Sequence, residues 1–101
     1  MKHVIALAAL GLAVASGPVF AQAELAKQKN CMACHALDKK LVGPAYKDVA
    51  AKYKADKDAP AKLAKKIREG GVGAWGQVPM PANPQVNEQE AASLAKWVLS
   101  Q

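Results

Sequence analysis

Tyr46, Val49, Ala50 and Tyr53 stand at i, i+3, i+4 and i+7 around Lys47, Asp48, Ala51 and Lys52, the stripe of a short helix with one apolar face. The same period recurs twice. Leu63, Ala64 and Ile67 continue it after Asp58-Ala59-Pro60, which reads as an N-cap with proline in the first turn, and Gly70-Gly71 ends that helix. Leu94, Trp97 and Val98 carry it in a last helix, with Asn87 as candidate N-cap and Glu90 placed to complete a capping box. Ahead of these, Leu25-Ala26-Lys27-Gln28-Lys29 holds good helix formers and no breaker, so a further helix is expected before Asn30 turns the chain. Val72 to Val86 contains Gly73, Gly76, Pro79, Pro81 and Pro84 with neither a helical nor an alternating period, and reads as a loop of the length that is usually functional. No strand pattern is evident, so the expected fold class is all-α.

The apolar run Val4 to Val14 is of another kind. It follows a short basic start, Met1-Lys2-His3, and is broken by Ser16-Gly17-Pro18 before Ala21-Gln22-Ala23, an A-x-A site. That order predicts a secretory signal peptide over residues 1–23, cleaved after Ala23 or after Ala21. The run is well short of the roughly 20 residues that cross a bilayer. The expected product is one domain, residues 24–101, exported to the periplasm and without stable membrane insertion.

Composition narrows this further. About eighty residues with few aromatics seldom build a core worth more than ~3–5 kcal/mol without a staple. Two cysteines, Cys31 and Cys34, are present. A disulfide between them would close a very small loop and stabilise little. The 14 Lys and Arg against 8 Asp and Glu make the chain basic. Lys39, Lys40, Lys47, Lys52, Lys54, Lys57, Lys62, Lys65, Lys66 and Arg68 cluster in its middle, as solvated helix faces or as a docking surface. Export argues against nucleic acid as the partner.

Chemistry concentrates in Cys31-Met32-Ala33-Cys34-His35. C-x-x-C-H is the spacing at which two thiols are joined to one haem and the following imidazole binds its iron. The staple that a small core requires would then be haem c. A thioredoxin-like use of the two thiols needs a βαβ context, and none is evident. Beyond His3 in the signal segment the chain has no histidine but His35, so a second imidazole ligand is excluded. A sixth ligand must come from elsewhere, and a thioether is a usual choice that raises the potential. Met32 lies inside the attachment turn, which leaves Met80, held between Pro79 and Pro81. Alone, Met80 would read as a gap-filling core methionine; beside the attachment motif it reads as the ligand.

With the segment before Cys31, Leu41-Val42-Gly43-Pro44-Ala45-Tyr46, Gly73-Ala74-Trp75-Gly76, Val78-Pro79-Met80-Pro81 and Leu94-Ala95-Lys96-Trp97-Val98-Leu99, the chain resembles the short, soluble bacterial class I cytochromes c with one haem. The resemblance implies the cytochrome c fold, with about four helices around the covalent haem and the first and last crossing near it. It also implies roles. The Pro44 carbonyl accepts from the second ring nitrogen of His35, Trp75 donates to a haem propionate, Asn83 contacts the Met80 sulfur, and Lys66 is a cationic propionate partner. Trp75 is expected to be a buried indole in need of an acceptor, and Trp97 plain core. Asn30 stands where relatives commonly have glycine, and Gln77 where proline is frequent.

The function expected is one-electron transfer between respiratory partners that carry acidic docking patches, by a monomer that is not an enzyme. The alternative from another class is a haem peroxidase or nitric-oxide-binding protein with an open sixth position. Met80 separates the two.

Overall fold

The computed structural model describes residues 18–101, and the signal-segment expectation for residues 1–17 lies outside them. In chain order the elements are α1 (Pro18–Gln28), a 3₁₀ turn (Cys31–Ala33), α2 (Tyr46–Lys52), α3 (Ala59–Glu69), β1 (Gly71–Gly73), β2 (Gly76–Met80) and α4 (Glu88–Leu99). The helix α1 begins well before Leu25 and runs through both candidate cleavage points, Ala21 and Ala23. Among the described residues no helix is long and apolar enough to cross a membrane.

The centre of the fold is α4, which packs against α1, α2 and α3. Its start follows from Asn87: the side chain accepts from the Glu90 backbone N–H at 2.8 Å, and Glu90 Oε1 accepts from the Asn87 N–H at 3.0 Å. This capping box satisfies two donors that a helix end otherwise leaves orphaned. Ala91, Leu94, Ala95, Trp97 and Val98 are its buried face. They meet Tyr46 and Val49 of α2, Leu63 of α3 and Ala26 of α1 in one cluster. Trp97 is core, as expected, and lies edge-on to Tyr46 with ring centroids 5.3 Å apart.

In α2, Tyr46 and Val49 are buried while Ala50 and Tyr53 are half-buried, so the stripe read from the sequence faces inward. In α3 Asp58 stands at the N-cap position with Pro60 in the first turn, as expected, but without a side-chain cap bond. Beside it Asp56 accepts from the Asp58 N–H at 2.8 Å and from Lys62 Nζ at 2.8 Å. Those two donors, the lysine first, hold the Asp56 carboxyl below its usual range. At the other end Gly70 has φ 75° and ψ −170°, a region open essentially to glycine.

The expected strand-free loop is also corrected. β1 and β2 form an antiparallel hairpin, with Gly71 paired to Met80 and Gly73 to Gly76 and an irregularity between the two pairs. β1 is too short to show alternation, and Pro79 is tolerated because the ladder is broken by a bulge at an edge. The class remains mostly helical. The hairpin delivers Met80 to the side of the molecule that carries Cys31 and Cys34.

Candidate haem site

The attachment turn begins at Asn30, whose φ of 67° puts it in the left-handed region. Asparagine tolerates this better than most residues, which is how it serves where relatives have glycine. Cys34 N and His35 N then both donate to the Cys31 carbonyl, at 3.2 and 3.1 Å, winding the motif tightly. Both thiols are free and partly exposed. Burial pushes the Cys31 thiol up, offset in part by a hydrogen bond with Tyr46.

After His35 the chain folds back on itself. His35 bridges to Lys40, Gly43 N donates to the Cys34 carbonyl at 2.7 Å, and Tyr46 N to the Ala36 carbonyl at 2.9 Å. The return brings Pro44 O to 2.8 Å from His35 Nδ1. It also lays Gly43 against the imidazole, where a Cβ would lie 2.6 Å from Cε1. His35 also stacks on Tyr46, with centroids 4.9 Å apart and planes 18° from parallel. The imidazole is fixed by one hydrogen bond and two packed surfaces. Burial, and next the neighbouring Cys31, push the Tyr46 phenol far above its ordinary range.

His35 and Cys34 open on a cleft of about 300 Å³ that Met80 also lines, and a smaller cavity of about 100 Å³ holds Cys31, Cys34, His35 and Met80 together. Val42, Val72, Trp75 and Val78 line the cleft while between 42% and 64% exposed. Apolar side chains left open around a concavity suit an apolar ligand that would cover them. Two thiols on one turn, an imidazole with its far nitrogen anchored, and a thioether on the same cavity form a donor set that fits haem c. Among the described residues no three His, Cys, Asp or Glu side chains gather as a site for a bare metal ion.

The other expected residues lie as follows. Lys66 lines the cleft, and its Nζ packs so near Gly71 that a Cβ there would be 2.6 Å away. Trp75 lines it too, 42% exposed at the turn of the hairpin. Lys52 Nζ stands 5.3 Å from its ring centroid. Asn83 differs most. Its Nδ2 donates to the Ile67 carbonyl at 2.8 Å and, more weakly, to the Pro81 carbonyl at 3.4 Å, so its amide engages backbone in place of the Met80 sulfur.

The sequence places Tyr46 on a helix face without showing its contact to His35, and it marks Gly70 as a helix end, Gly43 as part of a motif and Lys52 as one of the lysines without showing their places beside Met80, His35 and Trp75. The Gly43-Pro44 pair is the signal that was available, since it marks a tight return. Nothing local announces Lys52 beside Trp75.

A mostly helical fold enclosing such a cleft defines a small haem protein of the c type. The model of the family described as "Cytochrome c" matches residues 22–101, and the chain belongs to that family. It is 56% identical over 101 residues to cytochrome c-552 of Hydrogenobacter thermophilus, covering 99% of this chain and 98% of that one. It is 52% identical over 98 residues to cytochrome c-551 of Pseudomonas aeruginosa, covering 96% and 93%. The crystal structure of wild-type Nitrosomonas europaea cytochrome c552 superposes with a TM-score of 0.76 at 52% identity, over 77% of this chain and 96% of that one. Family membership makes this chain an electron carrier with covalently bound haem c that works with redox partner proteins, and not an enzyme.

Proposed function

We propose that the chain is exported to the periplasm, loses its signal segment after Ala23 or Ala21, and shuttles single electrons on a haem c joined to Cys31 and Cys34, with His35 and Met80 as iron ligands. The observation that carries the reading is the pairing of His35, held by Pro44 at 2.8 Å, with Met80 on one cleft. When bound, the haem iron supplies a one-electron ferric/ferrous couple whose potential follows its ligands and burial.

The chain's residues do the rest. With the Nδ1 proton directed at Pro44 O, the Nε2 lone pair of His35 is the one free to ligate, and the carbonyl raises its basicity. Val42, Val72 and Val78 keep water from the haem faces. Lys66 and the Trp75 indole N–H take the propionates, and Asn83 anchors the segment after Met80. The central lysines, exposed except for Lys66, orient partners with acidic docking patches, and the protein diffuses as a monomer without binding nucleic acid.

Intact mass and N-terminal sequencing of the protein recovered from a periplasmic extract test this. The expected product starts at Glu24 or Gln22 and carries the mass of one haem on the peptide containing Cys31 and Cys34. A haem-free mass overturns the reading. Stopped-flow transfer to an acidic partner is expected to slow as ionic strength rises; a salt-independent rate contradicts the docking surface.

A further inference from the structure

A continuous polar chain joins the segment before the cysteines to the segment after Met80. Lys29 Nζ donates to the Gln85 carbonyl at 2.9 Å, and Gln85 Nε2 returns a bond to the Lys29 carbonyl at 3.3 Å. Gln85 Nε2 also donates to Asn83 Oδ1 at 3.0 Å. Asn83 Nδ2 then reaches the Ile67 and Pro81 carbonyls at 2.8 and 3.4 Å, while Asn83 N donates to the Arg68 carbonyl at 3.1 Å. Pro81 follows Met80 directly.

We infer that Gln85 is a positioning residue, which fixes the orientation of the Asn83 amide and thereby ties the segment carrying Met80 to the attachment turn. Only one assignment of both amides satisfies the chain. The Ile67 and Pro81 carbonyls are acceptors, so Nδ2 of Asn83 must face them and Oδ1 must face Gln85. The Lys29 carbonyl is an acceptor too, so Gln85 presents Nε2 to both. Because only Asn30 separates Lys29 from Cys31, the strap spans the two segments that hold the iron ligands, and loosening it frees Met80 before it unfolds the helices. This rests on Met80 ligation as proposed above.

The test separates orientation from tethering. Gln85→Glu leaves the Lys29 Nζ bond to the residue-85 backbone carbonyl and sets a carboxylate beside that ammonium, but presents only oxygen to Asn83 Oδ1 and to the Lys29 carbonyl, which forces the Asn83 amide to turn over. Gln85→Ala removes both side-chain bonds, to the Lys29 carbonyl and to Asn83, with no charge to compensate, and leaves only the Lys29 Nζ bond to the backbone carbonyl. Imidazole titration of the oxidised haem protein reads how often the Met80 position opens, and urea unfolding reads the tether. For Gln85→Glu we expect imidazole affinity to rise about three- to tenfold, the size of one lost hydrogen bond, with a urea midpoint near that of the wild type. For Gln85→Ala both change. Wild-type imidazole affinity in Gln85→Glu overturns the inference while leaving Met80 ligation intact. A wild-type protein without a red-region sulfur-to-iron band overturns both.

Discussion

Gly43 lies against the face of the His35 imidazole, close enough that a Cβ would stand 2.6 Å from Cε1 and 2.9 Å from Nδ1. The ring is already held by two other contacts. Pro44 holds its Nδ1 at 2.8 Å and Tyr46 stacks on it. Gly43→Ala is therefore expected to push the imidazole off its anchor and to lower stability by about 1–3 kcal/mol, the usual cost of overpacking. Urea unfolding of the haem protein checks the cost, and proton NMR of the His35 ring checks the displacement. Unchanged values for both would show that the close approach carries no constraint.

Gly70 plays the corresponding part for Met80. Its φ of 75° disfavours any side chain, and a Cβ there would run into the Met80 carbonyl, which is backbone and cannot swing aside. Gly70→Ala is expected to cost about 1–3 kcal/mol in backbone strain and to shift the Met80 segment. A weaker sulfur-to-iron band in the oxidised spectrum is the measurement. A band of wild-type strength would contradict the coupling of the α3 terminus to Met80.

Acid stability should depend on Glu90. Its carboxylate is held below the ordinary range chiefly by the Asn87 N–H, and also by Lys29, 3.4 Å away. A carboxyl lowered on folding stabilises the protein above its unfolded pKa, near 4.3, and that contribution is lost as pH falls through the lower folded value. Glu90→Gln keeps an acceptor for the Asn87 N–H but cannot titrate. Urea midpoints followed from neutral to acid pH should fall less steeply for this variant below about pH 4.5. A slope identical to the wild type would remove Glu90 from the acid response.

The helices were readable because each depends on a local pattern. The capping box at Asn87 and Glu90 forms as read, and Tyr46 and Val49 bury the face that their spacing predicts. What escaped was non-local or too brief to show a period. β1 has three residues, two of them glycine, and its partner β2 contains a proline, so the hairpin is set by pairing Gly71 with Met80 across the turn. Trp75 stands at the hairpin turn on the rim of the cleft, where Lys52 meets its ring, a contact between residues far apart in sequence. Asp58 takes the cap position of α3 as read, but its side chain makes no cap bond. Within the site, the resemblance points to Pro44 and Lys66 beside the cleft, whereas the bonds of Asn83 join it to Ile67 and Gln85 through the fold and leave no local mark.

Visible spectra of the purified haem protein recorded through a redox titration test the central claim most directly. One reversible one-electron wave is expected, low-spin throughout, with a red-region sulfur-to-iron band that vanishes on reduction and is absent from Met80→Ala. A high-spin oxidised protein that readily takes up added ligands would contradict His35 and Met80 as the ligand pair.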